Sequence, residues 1–223
     1  MKAVSISLRA PANRLRAFEY GVQAHQLADL TARATIVVLF SLMAVRFGAD
    51  FIATGRVTGL FLLLSETLVV VLTVFRRSAA TVDRSLRARI LTGVSTLGPP
   101  LLAPAAVAMV PGALTVALSC AGLSIVIAGK ITLGRSFALL PANRGIVSTG
   151  LYGVVRHPIY LGYLITHAAF LMANPSLWNV MALLAADTAL LARAVCEEKT
   201  LALDPKYRDY QTRVRWRVAP GLF

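Results

Sequence analysis

The 223-residue chain is 57% hydrophobic and only 15% charged, whereas a soluble domain of this size carries about 25% charged residues, so a water-soluble globule is not expected. Its net charge is +13, yet the long apolar runs leave little surface for a nucleic-acid groove. Nucleic acid is therefore not an expected partner, and the bases are read as setting membrane orientation.

Residues 1–30 carry Lys2, Arg9, Arg14 and Arg16 but no apolar core ahead of a small-residue cleavage site. They do not read as a cleaved signal peptide, and Arg14 to Leu30 is expected to form an interfacial amphipathic helix. Apolar stretches follow at about Thr35–Phe51, Val57–Phe75, Ile90–Val110 and Ala113–Leu133, with a long one over Ile159–Val195. Because a helix crosses about 30 Å of hydrocarbon in about 20 residues, the last stretch is too long for one crossing. It is also too short for two crossings with a full external loop, and Asn174-Pro175-Ser176 offers a turn, so a helical hairpin is expected. The fold class is thus an all-α polytopic membrane protein of about five membrane helices. Three regions divide it: 1–30 interfacial, 31–133 membrane helices, and 134–223 with the hairpin and a polar C-terminal segment.

The loop after the second span holds Arg76, Arg77, Arg84, Arg87 and Arg89, and the segment after the hairpin holds Lys199, Lys206, Arg208, Arg213, Arg215 and Arg217. Lys and Arg accumulate in cytoplasmic loops, which predicts that both termini are cytoplasmic and that the protein sits in the inner or plasma membrane. Cys120 and Cys196 match no metal or disulfide pattern, so no metal is expected.

A hairpin brings its two ends together. One end is Gly150-Leu151-Tyr152-Gly153-Val154-Val155-Arg156-His157-Pro158-Ile159-Tyr160-Leu161-Gly162 and the other is Glu197-Glu198-Lys199. That places an Arg, a His and aromatic rings opposite two carboxylates at the membrane surface. Pro158 suits the first helical position, with His157 near the cap and Arg156 in the approach. The helix start then offers N–H groups for an anion, and Arg156 adds fixed charge. His157 reads equally well as a plain capping residue. Tyr160 brings a hydroxyl to interfacial depth, and Gly162 permits close helix approach. Glu197 and Glu198 point about 100° apart on a helix, so only one faces the pocket; an ion pair with Arg193 is the ordinary alternative for Glu197. Glu66 and Asp187 are carboxylates within apolar segments and default functional candidates. His167, two turns beyond Tyr160, lines the acceptor side or is a packed core residue. The Gly122, Gly129 and Gly134 series is explained by helix packing.

The Arg-His-Pro-x-Tyr-x-Gly run at 156–162, the preceding Gly150-Leu151-Tyr152 and the later Glu-Glu pair resemble the C-terminal signature of the integral-membrane isoprenylcysteine carboxyl methyltransferase and phospholipid methyltransferase superfamily. The resemblance runs from about Leu133 to Pro220. It implies methyl transfer from S-adenosyl-L-methionine at the cytoplasmic membrane face, with the cofactor arriving from water and a lipophilic or lipidated acceptor from the bilayer. It also implies cofactor contacts from Gly129, Leu133, Gly134, Tyr152, Arg156, His157, Pro158, Tyr160, Glu197, Glu198, Tyr207 and Tyr210. Arg156 and His167 are the candidate catalytic residues. The tail departs from the family pattern, with Leu203-Asp204-Pro205-Lys206-Tyr207 where a Phe-Gly is common. The acceptor, whether carboxylate, thiol or amine, stays open. The runner-up readings are a membrane reductase of the steroid or enone type using NADPH, and a non-enzymatic transport or assembly protein.

Overall fold

The computed structural model describes residues 10–55, 57–103, 105 and 107–221. Lys2 and Arg9 lie outside the described residues, as do the side chains of Arg14 and Arg16, on which the interfacial reading of the N-terminal segment rests.

The first helix, α1 (Ala10–Thr54), is a single helix of 45 residues, of which Leu30–Ala53 is long and apolar enough to cross a membrane. It ends where Gly55 takes a positive φ of 66° and donates its N–H to the Phe51 carbonyl, a turn that a Cβ would strain. Helix α2 (Val57–Phe75) returns along α1. Gly59 allows this return, since a Cβ there would sit 3.3 Å from an Asp50 carboxylate oxygen. Phe40 and Val69 pack with Phe137 between these helices, while Leu64, Val71, Val74 and Phe75 stay exposed, as suits a lipid-facing side.

After α2 the chain forms a short strand, β1 (Thr81–Val82), paired antiparallel with β2 (Ala142–Asn143). The Ser85 hydroxyl then caps α3 (Leu86–Leu97) by accepting the Ala88 N–H at 3.1 Å, the usual job of a serine at that position.

The apolar stretch Ile90–Val110 does not cross as one helix. Helix α3 stops at 12 residues because Pro99 and Pro100 lack the N–H groups that would continue it, and Gly98 rests so closely on α6 that a Cβ would come 2.8 Å from that of Ala186. Pro99–Leu101 form one 3-10 turn, and described residues beyond it lie against the hairpin turn. Backbone at such depth needs partners from within the protein, and the hairpin supplies them. Asn179, fully buried, accepts the Ala103 N–H at 3.0 Å and donates to the Ala103 and Asn174 carbonyls at 2.8 Å each. Asn174 Oδ1 accepts the Ala105 N–H at 3.1 Å, and the Trp178 indole donates to the Leu101 carbonyl at 2.9 Å.

Helix α4 (Gly112–Leu133) and helix α5 (Pro158–Ala173) make the tightest crossing. Gly122 and Gly162 face one another, and a Cβ on Gly162 would lie 2.5 Å from the Gly122 carbonyl oxygen and 2.7 Å from a Val126 methyl. Contact of this kind, backbone on backbone, is how apolar helices associate where water provides no drive. The hairpin is present as expected: α5, Asn174-Pro175-Ser176, then α6 (Leu177–Leu201) capped by Ser176. Among the described residues four helical segments, Leu30–Ala53, Val57–Phe75, Gly112–Ser136 and Leu177–Leu201, are long and apolar enough to cross a membrane, and α5 is a shorter apolar helix beside them. The chain is an all-α polytopic membrane protein. Helix α7 (Pro205–Arg213) closes it, with Asp204 as its cap. Asn143 of β2 donates to Asp204 Oδ2 at 3.1 Å, and that bond first, then the Lys206 N–H, holds the Asp204 carboxyl below its ordinary range.

Gly162→Val drives new atoms into the α4 backbone and is expected to cost about 1–3 kcal/mol through overpacking. Gly93→Ala on α3, where a Cβ meets nothing within 4 Å, is expected to stabilise by about 0.5–1 kcal/mol. Thermal unfolding of the two variants in detergent checks both signs.

Candidate active site

At the end of the bundle that carries α7, the Arg156 backbone N–H donates to the Trp216 carbonyl at 2.9 Å and the His157 N–H to that of Arg217 at 2.7 Å. The C-terminal segment is thereby laid along the loop that enters α5. Beneath it Glu198, 4% exposed, collects the surrounding cations. Its Oε1 accepts Arg156 Nε at 2.7 Å and lies 3.3 Å from His157 Nε2; its Oε2 accepts Arg217 Nε at 2.9 Å and Arg156 Nη2 at 3.3 Å. Arg156 Nη1 goes to the carbonyls of Val214 and Arg215 at 2.7 and 2.8 Å.

Glu197, one residue earlier on α6, points elsewhere. Its Oε2 accepts the Tyr160 hydroxyl at 2.8 Å, and it lines a cavity of about 430 Å³, a size suited to a small molecule. The polar end of that cavity is walled by Tyr152, Arg156, His157, Tyr207 and Tyr210. The Tyr210 hydroxyl donates to the Tyr152 carbonyl at 2.7 Å, and the Tyr207 and Tyr210 rings lie 5.5 Å apart. Burial, with Glu197 adding to it, raises the Tyr152 phenol, and burial with Glu198 and Glu197 raises Tyr207. Tyr210 is pushed up to about 12 by burial, against the pull of Arg156. All three remain neutral hydrogen-bond donors at physiological pH.

From there the cavity runs along one face of α5, past Tyr160, Tyr163, Thr166, His167 and Phe170, the spacing of a single helical stripe. Arg193 of α6 lies over the Tyr160 ring at 5.5 Å, and its buried Nε makes no hydrogen bond among the described residues. On the far wall are Phe40, Met43 and Phe47 of α1 and Leu62, Glu66 and Val69 of α2. The arrangement joins an aromatic, carboxylate-bearing end to an apolar end between the membrane-crossing helices.

The sequence profile of the phospholipid methyltransferase family matches residues 105–206, which hold α4, α5, α6 and the start of the polar end. Over those residues, fewer than half of the 223, the chain is similar to that family. The family is one of methyltransferases and falls within the isoprenylcysteine carboxyl methyltransferase and phospholipid methyltransferase superfamily. No curated protein matches the chain.

Of the residues singled out from the sequence, Glu66, Leu133, Tyr152, Arg156, His157, Tyr160, His167, Glu197, Tyr207 and Tyr210 line the cavity, and Gly129, Gly134, Pro158, Asp187 and Glu198 do not. Gly129 serves packing, since a Cβ there would come 2.8 Å from Ile159 Cγ1, and Gly134 ends α4 with a φ of 50°. The start of α5 is not open to an anion as expected. The N–H groups of Tyr160 and Leu161 already bond to the His157 carbonyl, and Ile159 lies against Gly129. His157 is the cap by position but makes no capping side-chain bond; its ring stacks on Tyr160 at 5.0 Å and reaches Glu198. Arg156, expected to meet an anion of the reactants, is committed to Glu198 and to C-terminal carbonyls. Arg193 forms no ion pair with Glu197 among the described residues and instead sits on Tyr160. Sequence reasoning missed Arg193 and Tyr163 as cavity residues, and it missed Lys130, which is fully buried and donates to the Ser65 hydroxyl at 2.7 Å. The stripe from Tyr160 to His167 holds the signal for Tyr163, three residues after Tyr160.

Glu198→Gln leaves Arg156 buried without its counter-charge and is expected to cost about 3–5 kcal/mol, whereas Glu197→Gln loses one hydrogen bond and costs about 1 kcal/mol. Limited trypsin digestion checks the reason: the Glu198→Gln variant is cut at Arg213, Arg215 or Arg217 under conditions that spare the wild type.

Proposed function

We propose that this protein is an S-adenosylmethionine-dependent methyltransferase that works at the cytoplasmic membrane face on a lipophilic or amphiphilic acceptor. The observation that carries the reading is the position of Glu197, a half-buried carboxylate that turns one oxygen to Tyr160 and keeps the other uncommitted beside the tyrosines of the cavity's polar end.

Those residues fit an adenosyl group. The faces of Tyr152, Tyr207 and Tyr210 suit a flat purine, the open Glu197 oxygen suits ribose hydroxyls, and Arg193, with a free Nε, is the cation for a carboxylate. When bound, S-adenosylmethionine supplies a methyl group on a positively charged sulfur. The protein's own part is to hold and orient. Arg156, His157 and Arg217 are positioning residues that fix Glu198 and with it the floor of the pocket. Tyr160 aims Glu197, and the apolar walls of α1 and α2 keep water from the acceptor's path, which strengthens charge interactions inside. No covalent bond to the enzyme is required.

The charge pattern supports the orientation. Pairing of β1 with β2, and a bond from the Arg144 guanidinium to the Arg77 carbonyl, bring the Arg76 to Arg89 loop to the same end as the C-terminal bases, and that end is cytoplasmic by the positive-inside rule. A compartment-sensitive reporter fused after Phe223 is expected to give a cytoplasmic signal. Calorimetric titration of the detergent-purified protein is expected to show binding of S-adenosylhomocysteine and none of NADPH. Glu197→Gln weakens that binding about tenfold, or about 1.4 kcal/mol. An unchanged affinity removes Glu197 from the site, and binding of NADPH alone favours the reductase.

A further inference from the structure

His167 and Asp187 form a pair that positioning of the donor does not use. They come from the two arms of the hairpin, α5 and α6, and His167 Nδ1 lies 2.6 Å from Asp187 Oδ1. An ionised carboxylate only accepts hydrogen bonds, so the ring proton sits on Nδ1 and Nε2 carries the lone pair. His167 lines the cavity and Asp187 does not; no hydrogen bond involves Nε2 among the described residues. The ring also stacks on Tyr163 at 6.2 Å, which fixes its plane. A carboxylate behind an imidazole whose far nitrogen faces a cavity is the arrangement of an oriented general base.

A second observation points the same way. Glu66, 6% exposed, takes one hydrogen bond from Ser65 through Oε1 at 3.3 Å, while its buried Oε2 has no hydrogen bond among the described residues, although the residue lines the same cavity and has the charge of Lys130 near it. Holding an unpaired acceptor inside an apolar wall is expensive. Two acceptor atoms with no hydrogen bond among the described residues thus belong to residues that line this cavity, His167 on α5 and Glu66 on α2, ready for a ligand group that brings hydrogens. A carboxylate brings none.

We infer that His167 is the catalytic base of this site, held by Asp187, and that the acceptor's nucleophile is a neutral, hydrogen-bearing nitrogen, sulfur or aryl oxygen with a free lone pair on a lipophilic body, not a carboxylate. The inference rests on the methyltransferase reading above. In the step, the acceptor atom forms its bond to the methyl carbon as the carbon–sulfur bond breaks. The bonding pair stays on sulfur, whose positive charge is lost, and the acceptor's proton passes to His167 Nε2. Asp187 then stabilises the imidazolium. His167 takes that proton as a general base. The charged and titratable groups around it are Tyr163 on α5, Arg193 and Asp187 on α6, Glu66 on α2 and Arg46 on α1, with Lys130 of α4 over the Tyr163 ring at 5.7 Å.

The test uses the full-length protein in nanodiscs made with lipid extract of the expressing membrane, and S-adenosylmethionine labelled in the methyl group. Label in the lipid is expected to survive mild alkali, as N-, S- and aryl O-methyl groups do, whereas a methyl ester releases volatile methanol. His167→Gln is expected to lower incorporation about 100-fold, in the range that general bases contribute. Asp187→Asn, which preserves shape, lowers it at least about tenfold. Both keep S-adenosylhomocysteine affinity within about twofold. Alkali-labile label, wild-type turnover in His167→Gln, or no lipid label from protein that binds S-adenosylhomocysteine overturns the inference. Failure of the wild type to bind S-adenosylhomocysteine is a different result and overturns the methyltransferase reading beneath it.

Discussion

The polar end of this protein depends on one buried carboxylate. Glu198 gathers Arg156, His157 and Arg217 within 3.3 Å, from two stretches: Arg156 and His157 from the loop entering α5, and Arg217 from the C-terminal segment. Without a common counter-charge the two guanidinium groups would repel, and the segments bearing them would separate. Because burial of ions is costly unless charge and hydrogen bonds are both satisfied, the cluster admits essentially one arrangement. That arrangement sets the loop, turns α6 so that Glu197 faces inward, and ties down the tail. A helical step of about 100° thus divides two adjacent glutamates between architecture and chemistry.

The opposite end solves another problem with neutral groups. The proline-broken stretch after α3 exposes backbone where a membrane offers no partners, and Asn174 and Asn179 answer it by offering both a donor and an acceptor. Asn179 holds Ala103 through its N–H and its carbonyl at once, as a neighbouring strand would. Ions tie one end and amides the other, in keeping with the greater cost of charge at depth.

Much of the fold is legible in the sequence because apolar length and proline position are local quantities. The hairpin at Asn174-Pro175-Ser176, Pro158 at the start of α5 and the basic segments all follow from them. The stretch Ile90–Val110 misleads for the same reason: hydropathy averages over Gly98-Pro99-Pro100, while the chain obeys the two prolines. In the site, the divergence of Glu197 and Glu198 was readable, but which of them faces inward depends on Arg217, far along the chain. Arg156 looked like a ligand for an anion because its partner Glu198 is 42 residues away. Arg193 invited a local ion pair, and only the approach of α5 to α6 offered it the Tyr160 ring instead. The anion site expected at the start of α5 is closed because Gly129 brings α4 against Ile159; the glycine spacing marked a packing face, but not which residue of α5 it would meet.

The family match begins at residue 105, so α1, α2 and α3 lie before it, and yet Phe40, Met43, Phe47, Leu62 and Glu66 form one wall of the cavity. The chamber is therefore a composite, with one jaw from the matched region and the other from the preceding helices. The first jaw is locked by Gly122 against Gly162, where no atom can be added, while the second is built of large, adaptable side chains such as Met43. Such a chain can revise the shape of the guest it admits while leaving the machinery beneath untouched.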